Sequence, residues 1–212
     1  MSGAYRVEEV FVLGNDLLSA EEVAEAAHLG GTPTFHVRRA EAAARVEQLP
    51  AVADAEVWVH VDGRAGLRIV EKEAVAVWLV GEQPYLVDQR GLVLAARQPV
   101  QPLPLVHAVE AQPLRPGDMV SADAVVAAVQ IAERFPDRLG RPPGRLEYSE
   151  AGGLHMVEED GRLIHFGTSE HLAQKIEALA ALEAHLAQDG ERPQVVDLRY
   201  RGHAFYQLES ER

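Results

Sequence analysis

Along this chain the spacing of apolar and polar residues changes several times, and each change marks an element. Residues 5–13 are β-like, rich in Val and Phe, and stop at the turn pair Gly14-Asn15. Ser19 with Glu22 three positions on reads as a capping box, and Leu18 with Val23 as a hydrophobic staple. Val23, Ala26 and Ala27 form the apolar stripe of the helix that follows, which Gly30-Gly31 is expected to end. A second helix is predicted over 37–49, burying Ala43, Val46 and Leu49, with Pro50 as its stop. Strict alternation comes next. Ala55, Val57, Val59 and Val61 share one face of a strand, and Asp54, Glu56, Trp58 and His60 the other. Asp62-Gly63 lies near a hairpin turn whose return strand is 67–70. Two helices on one face of a three-stranded sheet bury all these apolar positions at once.

The stretch 67–94 holds a seam. The β-runs 67–70 and 75–80 are separated only by the charged link Glu71-Lys72-Glu73, and 84–88 and 92–94 follow as short runs. Residues 98–104 form a proline-rich connector. Ser121 caps a helix whose expected stripe is Val125, Ala128, Val129 and Ala132, ending at Phe135-Pro136. Short strands are predicted at 145–149, 154–157 and 163–166, the last two joined by the turn Glu158-Glu159-Asp160-Gly161. Ser169 is expected to start the longest helix, running to about Gln188 with Leu172, Ile176, Leu179, Leu182 and Leu186 on its apolar face. A strand over 194–200, a break at Arg201-Gly202 and a β-like tail over 204–208 close the chain.

Charge narrows the function. A net charge of -13 over 212 residues, with no basic face, argues against nucleic acid as a partner. Without cysteine there is neither a disulfide framework nor a thiolate metal site. No apolar run approaches the roughly 20 residues of a membrane-spanning helix, and no signal peptide follows Met1, so the chain as given reads as a soluble polypeptide.

Candidate chemistry is sparse. Among nine histidines, His155, His165 and His171 form the densest group, but without the tight spacing of a metal motif; surface or satisfied histidines are the expectation. Glu158-Glu159-Asp160 is a carboxylate cluster in a hairpin turn, expected to be solvated and therefore not tuned for acid-base work. Leu13-Gly14-Asn15 follows a strand as a phosphate loop does, but lacks the further glycines. No serine stands in a nucleophile elbow. No enzyme, metal, cofactor or small-molecule substrate is expected. The run Val195-Val196-Asp197-Leu198-Arg199-Tyr200 is a strong strand. At a sheet edge it could accept a strand from another protein; the alternative is a final strand paired within its own sheet.

The order of elements in the first 72 residues resembles a POTRA domain. The ordered set that follows carries the resemblance further: Val12-Leu13-Gly14-Asn15, Leu49-Pro50-Ala51-Val52, Glu71-Lys72, Tyr85-Leu86-Val87-Asp88, Phe166-Gly167, Lys175 and Val196-Asp197-Leu198-Arg199-Tyr200. Together they resemble the FtsQ/DivIB family of bacterial cell division proteins, although Ala51 and Ala74 stand where an aromatic and a proline are usual. The resemblance implies an α+β protein, with a POTRA domain over 5–72 and a mixed β domain over 73–212 in which two helices pack on an extended sheet. It implies a non-enzymatic divisome scaffold at the septum, with FtsB-like and FtsL-like division proteins and other divisome components as partners. The partner-binding residues would be Arg199, Tyr200, Gly202, Ala204 and Phe205. The family also implies attachment to the inner (cytoplasmic) membrane through a transmembrane helix absent from this chain, with the domains on the extracytoplasmic side. The alternative is a POTRA-containing chaperone or transport component that binds unfolded chains by β-augmentation.

Overall fold

The protein is described as a computed structural model covering residues 6–109, 112–189, 191–200 and 204–208. The chain divides into two compact units. The first takes Met1–Glu73 with Val93–Ala95 and Arg115–Asp118, and the second takes Ala74–Leu92, Ala96–Leu114 and Met119–Arg212.

The first unit contains β1 (Glu9–Leu13), α1 (Ala20–Ala27), α2 (Arg39–Val46), β2 (Val52–Val59) and β3 (Arg64–Glu71). Its sheet has the order β1-β3-β2, with β1 parallel and β2 antiparallel to the central strand. Both helices bury their stripes on one face, where Val23, Ala27, Ala42 and Val46 meet Val57, Leu67 and Ile69. Each fully buried Val or Leu there contributes about 1.5–3 kcal/mol. The capping box forms: Ser19 Oγ accepts from Glu22 N–H at 3.2 Å, and Glu22 Oε2 accepts from Ser19 N–H at 2.8 Å.

Boundaries differ from the sequence reading: β1 begins at Glu9 rather than residue 5, and β3 runs Arg64–Glu71 rather than 67–70. α1 ends at His28, which takes the left-handed conformation (φ 51°) before either glycine is reached. α2 is shorter than 37–49 and buries Ala42 with Val46, while Ala43 and Leu49 are only partly buried. β2 stops at Val59, so Val61 lies beyond the alternating strand and is 67% exposed.

The end of β3 is tied to the start of α1. The Glu71 carboxylate accepts from the backbone N–H groups of Asp16 (2.9 Å), Leu17 (2.6 Å) and Leu18 (2.9 Å). The chain can make this approach because Gly14 has φ +85°, and a Cβ there would sit 2.3 Å from Ile69 O. The glycine-containing loop that looked like a phosphate cradle is thus filled by the protein's own carboxylate.

The later strands and helices are β4 (Ala76–Val80), β5 (Gln83–Val87), β6 (Val93–Ala95), β7 (Leu105–Ala108), α3 (Ala122–Leu139), β8 (Arg145–Ser149), β9 (Gly153–Val157), β10 (Leu163–Gly167), α4 (Leu172–Asp189), β11 (Pro193–Asp197) and β12 (Phe205–Leu208). Within the second unit the strands lie in the order β12-β11-β10-β9-β8-β7-β4-β5. Pairings β4/β7, β7/β8 and β10/β11 are parallel, and the others are antiparallel. Val106, Leu146, Met156, Ile164 and Val196, register neighbours on five successive strands, form one buried row on the covered face of the sheet. α3 packs on β4, β7 and β9 and against α4. The fold is the expected α+β arrangement of a POTRA domain followed by a β domain.

The predicted strand over 194–200 ends at Asp197, and four further features of this unit depart from the sequence reading. β7 was not foreseen. α3 continues through Pro136 for one more turn to Leu139, where Gly140 (φ 69°) caps it, and its buried line includes Ile131 and Phe135 while Val129 and Ala132 are half-buried. α4 begins at Leu172, not Ser169, because His171 takes the left-handed conformation (φ 56°), while the Ser169 N–H and hydroxyl donate to the Asp123 carboxylate. Its apolar face buries Leu172, Ile176, Leu179 and Leu186, with Leu182 half-buried.

The fourth departure is Glu158. Expected to be solvated in its hairpin turn, it is only 8% exposed. Its carboxylate binds Arg162 Nε at 2.6 Å and Arg141 Nη1, while Arg192 Nη2 approaches to 3.4 Å. Arg162, 4% exposed, and Arg141 also share Glu183. Burial alone would push the Glu158 carboxyl up, but the hydrogen bonds and charges of Arg162 and Arg141 outweigh it and hold the group below the ordinary glutamate value. This is a structural ion network, and Glu159 and Asp160 beside it are exposed.

Candidate docking edge

β11 is rich in β-branched residues and lies between two neighbours, parallel to β10 and antiparallel to β12. The strand marked in the sequence as a possible edge is therefore internal. The edge is the short tail: among the described residues no strand lies beyond β12. Two aromatic side chains of β12 point out of the protein, Phe205 (57% exposed) and Tyr206 (47%). Their neighbours across the pair are Asp197 and Val196, so the two rings lie on opposite faces of the sheet.

The segment between β11 and β12 carries the other named residues. The Arg199 guanidinium forks onto the Asp197 carboxylate, with Nε at 2.9 Å from Oδ1 and Nη2 at 2.6 Å from Oδ2. That contact, stronger than the partial burial that opposes it, holds the Asp197 carboxyl below its usual range. The Arg199 stem lies on Gly167, where a Cβ would come within 2.8 Å of Arg199 Cγ, so the end of β10 must be glycine for the arginine to lie flat. Tyr200, 58% exposed, meets Phe205 edge-on with ring centroids 5.5 Å apart. Arg199, Tyr200, Ala204 and Phe205 are thus brought together at one end of the sheet, and Gly202 lies outside the described residues.

A groove of about 200 Å³ runs beside this segment, between it and the first turns of α4, lined by His171, Gln174, Lys175, Leu198, Arg199 and Tyr200. Its floor is held by Lys175, whose Nζ donates to Phe166 O at 2.7 Å and to Thr168 O at 2.8 Å. Burial lowers the Lys175 pKa, against the pull of Asp123 and Glu170. Sequence reasoning missed Tyr206 and the part played by Asp197. The spacing of Asp197 and Arg199 was a usable signal, since an aspartate carboxylate readily accepts from the backbone N–H two residues on, as Asp197 does from Arg199 at 3.0 Å.

The histidines separate. His155 and His165 lie opposite each other on β9 and β10 with ring centroids 5.6 Å apart, while His171 pairs with Glu170 at 3.2 Å. Among the described residues no group of three or more His, Cys, Asp or Glu side chains is placed to hold a metal ion. Nor is any helix among them long and apolar enough to cross a membrane.

A β-α-α-β-β unit followed by a helix-backed mixed sheet defines a two-domain POTRA-bearing protein, and comparison with known proteins narrows the class. Residues 5–71 match the family model "POTRA domain, FtsQ-type", and residues 76–199 match "Cell division protein FtsQ/DivIB, C-terminal". The cell division protein FtsQ of Chloroflexus aggregans is 31% identical over 200 residues, covering 93% of this chain and 72% of that protein. FtsQ of Mycobacteroides abscessus is 28% identical over 177 residues (83% and 55%), and FtsQ of Streptomyces coelicolor 29% over 190 (84% and 70%). The chain belongs to the FtsQ/DivIB family of cell division proteins. Its role therefore lies in bacterial cell division. The C-terminal match stops at residue 199, so Tyr200 to Phe205 lie just past it.

Proposed function

We propose that this chain is a non-enzymatic divisome scaffold that recruits FtsB-like and FtsL-like partners by accepting a strand at β12. The domains involved are 5–72 and 73–212, acting on the extracytoplasmic side of the inner membrane, with attachment through a membrane helix outside this chain. What supports the docking reading is the open side of β12. An outermost strand offers backbone N–H and C=O groups to a partner strand, and exposed Phe205, Tyr206 and Tyr200 offer side-chain selectivity beside them. Backbone bonds then supply affinity and the aromatic residues discriminate between partners. The FtsQ type of the first domain favours this reading over a chaperone that holds unfolded chains.

The test is a binding titration against the co-expressed extracytoplasmic segments of FtsB-like and FtsL-like proteins, using the full chain and a chain truncated before Tyr200. Saturable binding that the truncation abolishes supports the site. Binding that survives truncation moves it elsewhere, and no binding by the folded full chain overturns the partner assignment.

A further inference from the structure

The sheet of the second unit carries a row of polar groups on the face that alternates with the buried one. Strand register places His107 of β7, Glu147 of β8, His155 of β9, His165 of β10, Asp197 of β11 and Phe205 of β12 side by side. Glu147 and Arg145 are the charged groups facing His107. Glu147 Oε2 lies 3.1 Å from His155 Nε2, and His155 faces His165 across 5.6 Å. His165 is in turn faced by Asp197 and Arg199.

This arrangement has little room for added protons. Nε2 of His155 is engaged by a carboxylate, and Nδ1 of both His155 and His165 is buried without a hydrogen-bond partner. An N–H created there is a buried donor without an acceptor. A charged His165 would also meet His155 and Arg199, with Asp197 as its counter-charge. Releasing Arg199 from Asp197 relieves that crowding, and Arg199 sits in the segment that leads into β12.

We propose that the His155–His165 pair makes the C-terminal edge acid-sensitive, so that proton uptake loosens the pairing of β10, β11 and β12. Burial first and then Arg199 and His155 hold His165 below the ordinary histidine value of 6.5, against the pull of Asp197. A group whose folded value is depressed contributes stability that is complete above its unfolded value and lost as the pH falls through its folded value. His107 shifts in the same direction through burial and Arg145. The window therefore opens below about pH 6.5. In the first unit His28, His36 and His60 are all exposed. The effect on partner binding rests on the docking reading above; the effect on the edge itself does not.

Amide hydrogen exchange on the full chain, corrected for intrinsic rates, tests the proposal at about pH 7.5 and about pH 5.5. Amides of β10 to β12 should lose protection several-fold at the lower pH, while those of β2 and β3 lose none. A folded chain carrying His155→Gln and His165→Gln should lose none in either place. Unchanged protection of the native edge, or the same loss in the double variant, overturns the proposal. Imidazole proton titration of the native chain gives a second readout in case that variant does not fold. His165 must titrate below the ordinary histidine value, and titration of its ring at that value overturns the idea. Affinity for an FtsB-like segment is measured at both pH values in parallel. A loosened edge with unchanged affinity would retain the acid response and remove β12 as the docking site.

Discussion

Glu71 in the first unit and Glu158 in the second each hold together parts of the chain distant in sequence, with different chemistry. Glu71 accepts three neutral backbone N–H groups, all from one short turn. Glu158 is buried among guanidinium groups drawn from three places in the chain, Arg141, Arg162 and Arg192. Removing the Glu71 charge weakens three hydrogen bonds but leaves no ion stranded. Removing the Glu158 charge leaves Arg162, itself nearly inaccessible, with Glu183 alone to balance it among the described residues. The difference teaches that the same residue type can anchor a fold either gradually or all at once.

The largest expected effect follows from that contrast. Glu158→Gln should destabilise the second unit by about 3–5 kcal/mol, the cost of breaking a buried pair from one side. Denaturant unfolding followed by Trp78 fluorescence in a Trp58→Phe background reads this, because the chain has one tryptophan in each unit. Replacing both partners, Glu158→Leu with Arg162→Met, should recover most of the loss. If the double change costs as much as the single, the comparison fails.

Acid sharpens the same point. The Glu158 carboxyl is depressed in the folded state, so its contribution is complete above the ordinary glutamate value and disappears as pH falls through the folded value. The second unit of the native chain should show this loss, and the Glu158→Gln chain should lack that step.

Glu71→Gln should cost about 1–3 kcal/mol, with faster exchange concentrated at the amides of residues 16–18. A smaller effect, about 1 kcal/mol, is expected for Ser19→Ala, which removes the cap of α1 and is read by thermal unfolding. Smallest in stability is Phe205→Asp, an exposed change expected to stay within about 0.5 kcal/mol. Its effect on partner binding should exceed tenfold, as for an aromatic anchor removed from an interface. Unaltered affinity in the folded variant would argue against the edge.

The sequence made the local devices legible. Ser19 and Glu22 form the capping box they spell, and the three strands near residues 145–167 lie within a residue or so of their predicted positions, because each rests on neighbours in the chain. Features set by distant partners were hidden. β7 is four residues long after a proline-rich connector, and it becomes a strand only because β4 and β8 flank it. Pro136 reads as a stop, yet α3 continues one turn past it, with Phe135 fully buried. The burial of Glu158 depends on Arg141 and Arg192, 17 and 34 positions away, which no local pattern reveals. At the edge, Arg199, Tyr200, Ala204 and Phe205 are neighbours already in the sequence, whereas the internal position of β11 depended on a pairing that only the fold displays.

The parallel pairing of β10 with β11 has a consequence in time. An 18-residue helix, α4, lies between these strands, so they cannot meet through a tight turn. Their encounter must await the closing of that long crossover, and contacts of such separation form slowly. Among the described residues, β12 pairs with β11 alone. The order of assembly expected from this topology puts the open edge last, and pulse-labelled exchange during refolding would read it directly. A partner that binds there would then recognise only chains that have finished folding.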